Sequence, residues 1–293
     1  MKDLKSLFEK IRRIEITTGK LVEELMQGAY RSAFKGRGLE FDEVRPYQPQ
    51  DEVRTIDWNV TARLNHPYIK EFTEERQLTV MLVIDMSLSS HFGTRKRTKQ
   101  ELIAEISAML AFSAIKNRDK VGAVLFTDRI EKYIPPKQGT RHVLRVIRDL
   151  LELECQGSGT DIGKAMEFLG KVQKKSAVCF IISDFITNKP YSSPLKILAK
   201  KHDVVAIGIR DPAEVHPPIG ELTFFQNIET GKSLCVDLSD AVVQESFQET
   251  VKEQQSMLKQ LMGKIGGGYI SLQTDEPYEA AFREYFKTRR ARM

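Results

Sequence analysis

Cysteine is scarce in this 293-residue chain: Cys155, Cys179 and Cys235 are widely spaced and odd in number. With no Cys-x-x-Cys pair, neither a disulfide framework nor a zinc site is indicated, and a cytoplasmic, reducing compartment is expected. Long apolar runs are missing as well. The longest, 78–84 and 177–182, are strand-sized and far short of the ~20 residues a membrane helix needs, so no membrane insertion is expected. The first residues, Met1-Lys2-Asp3-Leu4-Lys5, lead into a charged amphipathic segment rather than the apolar core of a secretion signal. His66, His91, His142, His202 and His216 show no metal-ligand spacing, and no glycine cluster is followed by the Lys-Ser/Thr of a P-loop. A net charge of +5 is too small to argue by itself for nucleic acid. What is present is 41% hydrophobic and 29% charged residues, the make-up of a soluble globular protein near the upper length for one core.

Leu4, Leu7, Phe8, Ile11 and Ile14 recur at helical spacing, and Leu21, Val22 and Leu25 follow, so an N-terminal helix or helix pair is expected. From 28 to 68 the glycines and prolines, with Phe41, Val44, Ile56, Val60, Tyr68, Ile69 and Phe72 between them, favour short strands. Trp58, between Ile56 and Val60, is expected as a packed anchor. The interleaved charges of this stretch read as salt-bridged surface. From 78 onward strand and helix alternate. Strands are expected at 78–84, 121–126, 130–134, 177–182, 204–209 and 269–272. Helices are expected around 102–113, 143–151, 162–172, 195–200, 239–262 and 278–290, and a hairpin at 222–236. This is the pattern of an α/β, doubly wound, mostly parallel sheet, with residues 1–76 as an N-terminal helical and β-rich extension and 77–293 as the main domain.

The run 78–84 has no polar face, as a strand covered on both sides requires. It ends in Asp85-Met86-Ser87-Leu88-Ser89, where the carboxyl ends of parallel strands present ligands. Alone, Asp-x-Ser-x-Ser is a weak signal and more often marks an Asx or Ser turn capping the next helix. A second strand end carries Ser183-Asp184, and a glycine-rich loop, Gly157-Ser158-Gly159-Thr160-Asp161, precedes the helix at 162. Asp85, Ser87, Ser89, Thr160 and Asp184 thus offer hard oxygens from three loops on one sheet edge, a donor set for a magnesium-like cation. Asp161 is expected to cap its helix.

This constellation resembles the metal-ion-dependent adhesion site of von Willebrand factor A domains. The resemblance implies Mg²⁺ (or Mn²⁺ or Ca²⁺) held by Ser87, Ser89 and Thr160, with Asp85 and Asp184 acting directly or through water. It also implies an acidic side chain of a partner completing the coordination. The block before the first strand carries Phe34-Lys35-Gly36-Arg37-Gly38, Glu43-Val44-Arg45-Pro46-Tyr47, Ile56-Asp57-Trp58-Asn59 and Lys70-Glu71-Phe72, and later come Ser183-Asp184-Phe185, His202-Asp203 and Thr274-Asp275-Glu276-Pro277-Tyr278. Together these are similar to the bacterial domain-of-unknown-function 58 family, with Gln50 in Pro49-Gln50-Asp51-Glu52 standing where the family usually has glycine. The family resemblance implies a MoxR-type AAA+ ATPase as partner, in assembly or activation of client proteins.

Catalysis finds little support. Cys179 lies mid-strand, where a thiol packs as core, and no general base recommends itself. A magnesium-dependent phosphate-processing enzyme is the alternative, and nucleic-acid binding through Arg95-Lys96-Arg97 with Lys99, or through Lys287–Arg292, is the third reading. Arg95, Lys96 and Arg97 follow the metal loop closely enough to steer an acidic partner, or to be an ordinary exposed loop.

Overall fold

The apolar run becomes β3 (Thr79–Asp85), every residue of it buried from Val80 on. The computed structural model describes residues 40–49, 51–64, 66–73, 77–217, 220, 222–226, 231 and 233–291. The expected N-terminal helix, the glycines at 28–38, Gln50 and Arg292 lie outside them. The described residues form two compact units that divide between Gln77 and Leu78.

In the smaller unit β1 (Glu40–Pro46) pairs antiparallel with β2 (Tyr68–Thr73). Arg45 forks onto Asp51 with two hydrogen bonds of 2.8 Å, and this pairing holds the Asp51 carboxyl below its usual range. Val60 is not on a strand. Asp57 accepts from the backbone of Asn59 and Val60 and starts helix α1 (Trp58–Leu64), so local capping wins over β propensity. Trp58, at the start of that helix, is 66% exposed rather than a packed anchor.

In the larger unit six strands line up as β10-β7-β6-β3-β4-β5. These are β3, β4 (Lys120–Phe126), β5 (Ile130–Lys137), β6 (Val178–Ser183), β7 (Asp203–Arg210) and β10 (Gly268–Gln273). All neighbours are parallel except β4 and β5. Pro135 and Pro136 fall inside β5, which the sequence pattern ended at 134. An edge strand tolerates the missing N–H groups. A separate hairpin, β8 (Leu222–Gln226) with β9 (Ser233–Asp237), stands where expected.

Side chains of β3 alternate between two cores. Val80, Leu82 and Ile84 pack with α2 (Lys99–Lys116), α3 (Thr140–Glu152) and α8 (Glu279–Ala291), while Met81 and Val83 pack with α4 (Ile162–Val172), α5 (Ser192–Ala199) and α7 (Ala241–Lys264). A strand buried on both faces must be apolar throughout, which is why its hydropathy shows no period. After β3 the chain builds β4 and β5 on one side, then returns to lay β6 on the other. The carboxyl ends of β3 and β6 therefore flank the topological switch point, where open sheets of this kind leave a crevice.

Gly122 lets β4 approach its neighbours. A Cβ there would lie 2.8 Å from Met81 Sδ and 2.9 Å from both Ile134 O and Pro136 N. Gly122→Ala is expected to destabilise the protein by about 1–3 kcal/mol through overpacking, measured by denaturant unfolding; an unchanged midpoint would show that β5 yields without cost.

Candidate metal centre

Two strand ends are cross-linked at the switch point, each carboxylate taking a hydroxyl from the other. Asp85, closing β3, accepts Ser183 Oγ on Oδ2 at 2.6 Å and the Ser87 N–H on Oδ1 at 3.0 Å. Asp184, just past β6, accepts Ser89 Oγ on Oδ2 at 2.9 Å and the Ile186 N–H on Oδ1 at 3.0 Å. A single 3-10 turn, Leu88–His91, follows Ser87 and is tied back by Ser90 Oγ donating to Ser87 O at 2.8 Å. That turn sets Ser87 Oγ and Ser89 Oγ 3.1 Å apart.

The third loop is braced against the first two. Leu88 N–H donates to Ser158 O at 3.2 Å, and Thr187 Oγ1 donates to Thr160 O at 3.1 Å. Glu131 on β5 accepts Thr127 Oγ1 at 2.6 Å and the N–H groups of Gly157 and Gln156 at 2.7 and 3.2 Å, fixing the glycine-rich turn. Asp161 caps α4 by accepting the Lys164 N–H at 2.9 Å. Asp85, Ser87, Ser89, Ser183 and Asp184 share the lining of one small cavity. Thr160 is buried on the adjoining loop, outside that lining.

Lys99 is the residue that sequence reasoning missed. It was grouped with a surface basic cluster, but it is 1% exposed, and its ammonium donates to Asp184 Oδ2 at 2.8 Å and Glu214 Oε1 at 2.7 Å. Burial alone would raise Asp184, yet Lys99 and the hydrogen bonds from Lys99, Ile186 and Ser89 carry it below the usual carboxylate range. Burial would also lower Lys99, and the charges of Asp184 and Glu214 outweigh it. Asp85 has no such partner. Burial, and then the Asp184 charge, push its carboxyl up to about 7.

The basic cluster also divides. Arg95 and Lys96 are exposed on the loop before α2. Arg97 does not join them as a free steering charge. Its guanidinium donates to Thr274 O at 2.8 Å, Glu105 Oε2 at 2.7 Å and Glu276 O at 2.7 Å, and lies over the Tyr278 ring. It braces the loop against the chain beyond β10.

The residues present fit a hard divalent cation. Adjacent ligands of an octahedral ion with metal–oxygen distances of ~2.1 Å stand about 3 Å apart, the separation of the two serine oxygens. Asp85 is a buried carboxylate that makes no ion pair with a cation among the described residues. Among the described residues no group of three or more His, Cys, Asp or Glu gathers at one point; the oxygen donors lining this cavity are serine hydroxyls and the carboxylates of Asp85 and Asp184.

Lys99→Met leaves Asp184 and Glu214 without their shared counter-charge. The expected cost is about 3–5 kcal/mol in metal-free protein, read from chemical denaturation; a loss under 1 kcal/mol would mean the ammonium is not a structural tie.

Comparison with known proteins places the chain. Over 283 residues it is 28% identical to Rv1480, an uncharacterized protein of Mycobacterium tuberculosis, covering 96% of this chain and 89% of that one. It is 29% identical to the uncharacterized YeaD of Bacillus subtilis over 145 residues, 49% of this chain and 34% of YeaD. Among solved structures, BatB of Bacteroides thetaiotaomicron aligns at 16% identity and a TM-score of 0.48, covering 74% of this chain and all of that one. Residues 43–257 match the family described as protein of unknown function DUF58, and the chain belongs to that family.

Proposed function

We propose that this protein is a divalent-metal-dependent docking module for an acidic segment of a partner protein. Ser87 and Ser89 hold Mg²⁺ (or Mn²⁺ or Ca²⁺), with Asp85, Asp184 and Thr160 as further ligands or as hydrogen-bond partners of its waters. The observation that carries this reading is the pair of mutually hydrogen-bonded serine hydroxyls, 3.1 Å apart, beside a buried Asp85 that pairs with no cation among the described residues. A bound cation supplies an open coordination position that a carboxylate can fill. Ser183 and the Ser87 N–H hold both Asp85 oxygens in place, and Lys99 holds Asp184. The chain's own part is therefore orientation and charge, with no bond made or broken.

The resemblance noted in the sequence supports a MoxR-type AAA+ ATPase as the source of the acidic segment, acting on a client protein. Arg95 and Lys96, exposed beside the metal loop, guide that segment inward.

Calorimetric titration of Mg²⁺ into metal-stripped protein is the direct test. Saturable one-to-one binding is expected, lost in Asp85→Ala and in Ser87→Ala/Ser89→Ala, with pull-down of the cognate ATPase lost in the same variants. Retention of the ATPase by the mutants without metal would refute the reading. In Lys99→Met, Mg²⁺ is expected to bind about tenfold tighter and to raise Tm more than in wild type, because a competing positive charge is gone. Arg95→Ala/Lys96→Ala is expected to slow association with the ATPase severalfold at low salt and little at high salt; an on-rate equal to wild type at low salt would remove steering from the account.

A further inference from the structure

A second recess adjoins the metal centre and is used by none of its proposed ligands other than through a shared wall. It has a volume of about 170 Å³, and its lining includes Asp184, Thr187, Tyr191, Arg210, Gln254 and Tyr269. Arg210 closes β7, on the same sheet edge as Asp85 and Asp184, and is only 5% exposed. Gly208, two residues earlier on the same strand face, carries no side chain, and the Tyr269 ring fills that space.

A buried arginine is normally paired with a carboxylate or phosphate, because an isolated charge is costly to desolvate. Arg210 has no such partner among the described residues. Its one side-chain hydrogen bond runs from Nη2 to the neutral amide oxygen of Gln254 at 3.2 Å. The carboxylates beside Arg210 in the chain, Asp211 and Glu214, and Asp184 on the recess wall are taken elsewhere, Glu214 by Lys99. Asp211 accepts from Thr94, Ala213 and Thr274, and Asp184 accepts from Lys99, Ser89 and Ile186. A guanidinium with most of its donors unclaimed, facing a polar recess, is a fork for a planar anion.

We propose that this recess is an oxyanion subsite in which Arg210 takes a carboxylate. Resting on the docking function above, its natural occupant is a second acidic side chain of the segment whose first carboxylate reaches the metal. Asp184 borders both the recess and the metal cavity, so the two subsites are adjacent and suit acidic residues close together in an extended peptide.

The test has two arms, both on the full chain. Arginine side-chain resonances of isotope-labelled protein are followed during titration with sodium acetate, against sodium chloride at equal ionic strength. One guanidinium signal, absent in Arg210→Met, is expected to shift saturably in acetate with a dissociation constant of about 1–10 mM and to stay still in chloride. In the second arm a fluorescent peptide with two glutamates separated by one glycine is titrated in Mg²⁺, beside versions with either glutamate replaced by glutamine. Arg210→Met and Arg210→Lys are each expected to weaken the two-glutamate peptide about tenfold. Peptides with one glutamate should fall into two classes, one sensitive to Arg210 and one not. Arg210→Lys keeps the charge while losing the fork, so the result does not depend on Arg210→Met folding.

An acetate response that persists in Asp85→Ala while Mg²⁺ binding is absent in wild type would leave the Arg210 subsite standing and remove the metal reading alone. A response no different from chloride, with peptide affinity unchanged in both Arg210 variants, overturns the proposal. Saturable acetate binding with no discrimination among the peptides overturns its assignment to an acidic segment.

Discussion

The carboxyl edge of the sheet depends on one buried ammonium. Lys99 is the first residue of α2, where the positive end of the helix dipole disfavours a cation. It is held there by Asp184 from the end of β6 and by Glu214 from the short helix α6 (Pro212–Val215) after β7. Three elements far apart in sequence thus meet on one nitrogen. The ion pair settles the otherwise repulsive neighbourhood of Asp85 and Asp184 by assigning the available positive charge to one of them. Asp184 is held as the anion as a result, and Asp85 keeps a raised affinity for a proton.

Around that tie the loops are fixed by hydrogen bonds to backbone rather than by packing alone. Asp211 takes Thr94, Ala213 and Thr274 at once, joining the loop before α2, the α6 cap and the turn after β10. Glu131 does the same for the turn before α4. Carboxylates that accept several N–H and O–H donors are stable as anions, and each one holds a loop that carries a site residue. The resulting edge is preorganised, so that recognition there requires little ordering of the chain.

Much of this was legible before the structure. Continuous apolar runs at 78–84 and 177–182 marked strands buried on two faces, and residues at their carboxyl ends had to lie on one edge, which is why Asp85, Ser87, Ser89 and Asp184 converge. Asp161 announced itself as a cap. The misses share a cause. Val60 and Trp58 fit a strand by propensity, but Asp57 two residues before Asn59 starts a helix, and capping is a local signal that a β-rich composition obscured. Lys99 and Arg97 looked like surface charge because sequence gives no burial for a cation. A usable sign was present, since Lys99 is the first residue after the N-cap within the Thr98-x-x-Glu101 capping box, and a lysine at a helix start needs a nearby anion to offset the dipole. Arg210 gave less. It ends a strand of buried residues, and only the absence of a carboxylate around it, a three-dimensional fact, makes it informative.

The distribution of charge also explains why recognition here would be conditional. The Lys99 ammonium pairs with Asp184 and Glu214 and leaves Asp85 out, so the metal cavity gains an uncompensated negative charge whenever Asp85 is ionised. In the proposed docking function, a carboxylate approaching the metal cavity itself without a bound cation would meet repulsion from Asp85 in a weakly screened, partly dry setting. A divalent ion beside Asp85 would reverse that sign locally, while Lys99 continues to pair with Asp184 and Glu214. Affinity for an anion would then be switched by a cation through charge balance, with no movement of the sheet required. A rigid edge, rather than a flexible one, is the structure such a switch needs.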